Sequence, residues 1–343
     1  MAYTTIDKPS EHFNTGLYTG NATNPKAITG VGFQPDWVWI KDRDFAYNHQ
    51  WHDVVRGADN ALLSNLTSAE ADYDSFVSFD TDGFSVTGAN GTNNSGNNHV
   101  AWNWKGGGTA SSNSNGSITS SVSANATAGF SIVSWTGDGT DATIGHGLSS
   151  APKLIIHKHR SGTVQWNVYA DVTGAGTGGY LRTDSNNAWA SNSGFFGTAP
   201  TATVFSPGSH PYMSGSGNDN IAYCFTDVKG YCKIGQYVGN GSTDGPFIYT
   251  GFKPALTITK TIDTTGHWQM FDNKRSPFNE MDERLKISDA AAEDENLGRD
   301  FLSNGFKIRN NNATINGSGV DMFYIAFAEN PLVTSTGVPA TAR

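Results

Sequence analysis

Carboxylates crowd one stretch of this chain: Glu280, Asp282, Glu283, Asp289, Glu293, Asp294 and Glu295. Glycoside hydrolysis needs two carboxyl groups held roughly 5–9 Å apart across the scissile bond on rigid elements. Here Arg284, Lys286 and Arg299 interleave with the acids, a pattern that reads as a solvated face. Nine histidines are present, and two pairs stand close, His49 with His52 and His157 with His159. The second pair would share one face of a strand. A metal centre needs at least a third ligand, so these read as surface histidines. Asp138 and Asp141, with Asn21, Asn24 and Asp244 in similar loops, offer oxygens to calcium, which takes six to eight. No cofactor is expected, calcium being the one ion for which the loops hold ligands. The "GAGTGG" run (174–179) lacks the strand-to-helix context of a phosphate loop, and no G-x-S-x-G elbow occurs.

Sugar contact asks for other residues: exposed rings to stack on CH faces, with amides and backbone groups for hydroxyls. Residues 185–213 supply Trp189, Phe195, Phe196, His210 and Tyr212, none with a counterpart elsewhere in the chain. These five are the candidate binding residues. The competing reading has them plug the edge of a sheet.

The elements that would position such groups are repeated. "LYTGN", "SWTGDG" and "QYVGNG" place Tyr18 and Gly20, Trp135 and Gly137, and Tyr237 and Gly239 in one pattern. The aromatic closes a strand, and the glycine with its Asn or Asp neighbour turns the chain. Each string is followed by a second strand ("DWVWIKD", "KLIIHKHR", "ALTITKT") and each repeat ends in an aromatic, alanine-containing strand ("HVAWNWK", "NIAYCFTDV", "MFYIAFAEN"). In "DWVWIKD", Trp37, Trp39 and Lys41 alternate with Val38 and Ile40, as a strand requires. The repeats recur about every hundred residues, the size of one β-sandwich. The expected fold is therefore all-β: three tandem antiparallel β-sandwich units of jelly-roll or lectin-like type. They occupy 11–105, 129–229 and 230–331, after a lead-in at 1–10 and before a tail at 332–343. The Gly/Ser/Asn-rich stretch 106–128 has little to bury and reads as a flexible linker, so the first unit should swing while the other two pack together. Short helical excursions are expected at 57–75 and 279–298.

Composition narrows the class. Only 15% of residues are charged, against 40 glycines, which suits short strands and tight turns. The net charge of −9 and the lack of a basic run argue against nucleic acid. No apolar stretch is long enough to insert into a membrane as a helix. "MAYTTIDKPSEHF" has no basic region followed by an apolar one, so the expectation is folding in the cytoplasm of the producing cell without a signal peptide. Cys224 and Cys232 lie in apolar surroundings and read as buried thiols.

Taken in order, "AYTTIDKPSEHFNTGLYTGN", "GFQPDWVWIKDRD" and "YIAFAENP" resemble a family of repeat-built, tail-fibre-like bacteriophage virion proteins common in marine and cyanobacterial phages. The resemblance spans nearly the whole chain. It implies a non-enzymatic structural protein of the virion, tail-associated, oligomeric in the particle, and in contact with other virion proteins and with host surface glycan or protein. Capsid decoration or a head fibre is the alternative, and a polysaccharide depolymerase the third. The middle repeat departs most, with "SSAPKLIIHKHR" where the first has "GFQPDWVWIKDRD".

Overall fold

The computed structural model describes residues 3–88 and 90–340. Among these the chain is nearly all β, with two single-turn α-helices, Pro211–Ser214 and Ala313–Asn316, and a 3-10 turn at Pro9–Glu11. Three antiparallel sheets repeat one strand order. In the first, Phe13–Thr19 pairs with Asn98–Trp104, then come Trp37–Asp42, Gln50–Asp53 and Gly57–Leu63. In the second, the order is Phe130–Thr136, Asp219–Phe225, Leu154–His159, Asn167–Ala170. In the third it is Cys232–Val238, Asp321–Pro331, Phe252–Thr261, Gln269–Asp272, Met281–Lys286.

The register is shared too. Tyr18 lies opposite His99, Trp135 opposite Asn220 and Tyr237 opposite Met322. Tyr18 is half-buried and the other two are buried. The glycine two residues on docks against the chain before the last strand. A Cβ on Gly20, Gly137 or Gly239 would come within 2.0, 2.5 or 2.2 Å of the carbonyl oxygen of Asn94, Gly215 or Gly317.

Further strands cover the outer face of each sheet. Lys26–Thr29 joins Gly83–Val86 and Phe76–Asp80, and Ile144–Gly145 joins Val204–Phe205, while in the third segment the main sheet itself continues past Met281–Lys286 through Asp294–Leu302 and Gly305–Ile308 to Phe247–Tyr249. Strand alternation divides the core accordingly. Val38 and Ile40 face outward to a cluster with Ile28, Phe76 and Phe84, while Trp37 and Trp39 face inward. The inward faces of all three sheets meet in one central core. There the Trp37 ring lies 4.2 Å from Trp104 and 4.7 Å from Tyr223, and Phe327 lies 5.2 Å from Phe13 and 5.7 Å from Phe225. Aromatic pairs at such spacing add to the burial term.

Three expectations are corrected. The first segment does not swing: its tryptophans are packed into the same core as the other two. Residues 106–128 are not a flexible linker, because Ser120–Asn125 pairs with Phe130–Thr136 and Ser111–Asn113 pairs with it in turn. Backbone pairing needs no apolar side chain, and Ser120 and Ser123 are buried beside Val122 in that strand. Residues 57–75 and 279–298 hold strands, not helices, since their apolar residues pack across sheets (Leu62 centrally, Met281 in the third segment's own cluster).

Segments near both ends of the described chain are tied down as well. Tyr3 OH donates to Gly251 O at 2.6 Å, Ile6 enters the central core, and Ser335 N donates to Asp7 Oδ1 at 2.6 Å.

Candidate binding surfaces

The five expected binding residues fall in two classes. Phe195 and Phe196 are each 1% exposed and belong to the second segment's own core. They cannot meet a ligand, and the sandwich-plug reading holds for them. The reason is local: the covering strands there are only two residues long, so loop phenylalanines fill the space that Phe84 and Phe306 fill elsewhere. Trp189 is half-buried against the central core, its backbone N–H donates to Ile262 O at 2.7 Å, and its ring lies over Gly179. His210 stacks on Phe195 at 4.2 Å, and its Nδ1 accepts from Tyr212 N at 3.2 Å, capping the short helix. Tyr212 alone is well exposed, at 39%.

The titratable groups are structural. His49, His52, His99, His146, His157 and His159 are buried, contrary to the surface reading. Burial pushes His52 and His157 down to about 3, so both are neutral. His157 Nε2 lies 3.0 Å from Asn220 Oδ1. Among the described residues no three His, Cys, Asp or Glu side chains converge as a metal site. The proposed calcium ligands are otherwise engaged: Asp138 with Thr140, Asp141 with Ser206, Asp244 with Lys307. Both cysteines are free and buried.

Two features escaped the sequence reading. Lys41, Lys158 and Lys260 stand at one register position in the three second strands, fully buried and bonded to carbonyl oxygens. Lys158 Nζ crosses to Thr67 O at 3.2 Å and Lys260 Nζ to Asn186 O at 3.5 Å, so each ties its own segment to the preceding one. A lysine recurring inside three apolar strands was the available signal. The second feature is a repeated D-x-x-R turn. Asp53 holds Arg56 and Asp272 holds Arg275, each through Nε at 2.5 Å. Arg56 then meets Glu70, which also binds Arg160; Arg275 meets Glu293, which also binds Arg43. Glu293, expected on a solvated face, thus bridges the third and first segments. Desolvation of such groups is offset only by full pairing, which these triads supply.

Several aromatic rings stay open among the described residues: Phe278 is 78% exposed, Tyr249 55% and Phe247 44%. Phe45 follows the first segment's second strand and is 56% exposed. With Ala46, Tyr47, Asn94, Ser95 and Asn97 it lines a cleft of about 480 Å³.

No curated protein and no solved structure matches the chain. A family model described as a domain of unknown function, DUF7483, matches residues 8–331. Since that match takes in all three repeated sheets and their common core, the chain belongs to the DUF7483 family.

Proposed function

We propose that this protein is a non-enzymatic structural component of a bacteriophage virion, tail-associated, built from three β-sandwich units of jelly-roll or lectin-like type. The observation that carries the reading is the central core shared by all three sheets. It makes one chain a single stiff body and leaves the turn-bearing ends of the sheets free for contact. A part that transmits force or holds a receptor needs that stiffness. The resemblance of the opening, second-strand and closing motifs to tail-fibre-like virion proteins supports the same reading. Contact would be multivalent, with weak sites summed over the copies in a particle. Locating the chain in intact particles with a specific antibody tests this. Label on the tail is the expected result. Label on the head would transfer the protein to the decoration class, and its absence from purified particles would sink the virion reading.

A further inference from the structure

The Phe45 cleft has the make-up of a carbohydrate site. Its ring is in solvent, yet the backbone beneath it is immobilised by two fully buried side chains. Asp42 Oδ1 accepts from the N–H of both Asp44 and Phe45 at 2.9 Å, and Lys41 Nζ donates to Phe45 O at 3.0 Å. Exposure here is therefore not a by-product of a loose loop. A ring carried on a held backbone leaves only its own side-chain rotation to be ordered on binding.

The polar wall is held in the same way. Asn94 Oδ1 accepts from Gly91 N at 2.8 Å, and its Nδ2 donates to the Tyr47 hydroxyl at 3.0 Å. Asn97 Nδ2 donates to Asp42 Oδ2 at 2.6 Å. The Tyr47 hydroxyl, used as an acceptor, keeps its own proton to donate. Asn97 keeps its amide oxygen, and Ser95 presents a hydroxyl at the surface. The lining carries no charge. Nearby Arg43 is engaged by Glu293, and Asp44 stands beside the ring, so an anionic ligand is disfavoured. An apolar peptide would bury amides without partners, at a cost.

A flat apolar ring bordered by fixed, uncharged donors and acceptors matches the alternating CH face and hydroxyls of a sugar. We propose that this cleft binds a neutral saccharide unit, stacked on Phe45 with its hydroxyls on Tyr47, Asn94 and Asn97. The second and third segments have no such site: where the first has Phe45 and Tyr47, their loops read "RSGTVQW" and "IDTTGHW". The proposal deepens, and rests on, the host-contact reading above.

The test is binding of the full chain to an array of neutral hexose, deoxyhexose and N-acetylhexosamine glycans, with host-cell binding measured in parallel. Phe45→Ala removes only an exposed ring and should leave the thermal midpoint unchanged while weakening glycan binding at least tenfold. Tyr47→Phe should weaken it severalfold, and Trp189→Ala should not change it. Absence of glycan binding by the unaltered chain, or binding that survives Phe45→Ala, overturns the site. If cells are still bound in that case, host contact stands without it. Glycan binding lost in Phe45→Ala with no binding to cells would keep the site and remove the host-contact reading.

Discussion

At the scale of single residues, the core contains ionisable groups where apolar ones would be simpler. Neutral His52 and His157 sit near 3 by burial, against 6.5 in the open chain. Between those values the unfolded chain holds more protons than the folded one, so stability is fully present above about 6.5 and falls as pH drops toward 3. The buried lysines act in the same direction at higher pH. Burial lowers Lys158 to about 8 and Lys260 to about 7, so stability rises with pH from there toward 10.5. The thermal midpoint should climb from pH 5 to pH 9 at fixed ionic strength. His52→Phe, which installs the residue found at the equivalent Phe271, should flatten the acid limb.

Arg299 shows why part of the interior was not legible from sequence. It is fully buried in the third segment, stacked 3.9 Å over Phe271, with Nη1 donating to Thr257 and Nη2 to Thr259. Its Nε has no hydrogen-bond partner, and burial lowers it to about 10. The same register positions in the first segment hold Phe76, Val38 and Ile40. Three positions distant in sequence have changed together, and only their packing reveals it. Replacing Arg299 by Phe alone should strand two buried hydroxyls and destabilise. Adding Thr257→Val and Thr259→Ile should recover the loss and add about 1–4 kcal/mol, read from urea midpoints.

At the scale of elements, the aromatic–glycine strings were legible as repeated strand ends, but the reason for the glycine was not. Gly20, Gly137 and Gly239 do not take a positive φ, and each is required by a carbonyl far along the chain, that of Asn94, Gly215 or Gly317. Tyr18, Trp135 and Tyr237 close equivalent strands, and the glycine after each lies against a backbone carbonyl. Gly137→Ala should therefore cost about 1–3 kcal/mol in chemical denaturation, through displacement of the docked turn. What was not legible depends on partners far along the chain. The serine-rich strand Ser120–Asn125 pairs through its backbone, which composition does not report. "MDERLK" carries helix-forming residues, but its Met281 and Leu285 are claimed by two different cores across a sheet. Phe195, Phe196, Trp189 and His210 were visible as an aromatic group, yet sequence does not say which way a ring points. Phe45 was overlooked for the converse reason: a lone phenylalanine among polar residues carries no pattern until Lys41 and Asp42 are seen to pin it.

At the scale of the whole molecule, the central core decides cooperativity. Trp37 touches Phe130 and Tyr223, Trp51 touches Trp166, and Trp102 Nε1 donates to Asp272 at 3.1 Å. No segment completes its inner face alone. Unfolding should be a single calorimetric transition. A fragment of residues 129–331 should expose Phe130, Tyr223, Phe225 and Phe327, bind hydrophobic dye and self-associate in light scattering. A monomeric fragment with native-like near-UV circular dichroism would contradict the shared core.

The tie between Asp7 and Ser335, together with Tyr3 resting on Gly251, brings the two ends of the described chain side by side. The segments thus follow one another around the core, and their mutual contacts do not depend on the order in which they are joined. A circular permutant with a short linker across the present ends and new termini in the tight turn between Lys229 and Gly230 should fold to the same body. Its thermal midpoint should lie within a few degrees of the parent's, because the contacts around the ring do not depend on which segment is made first.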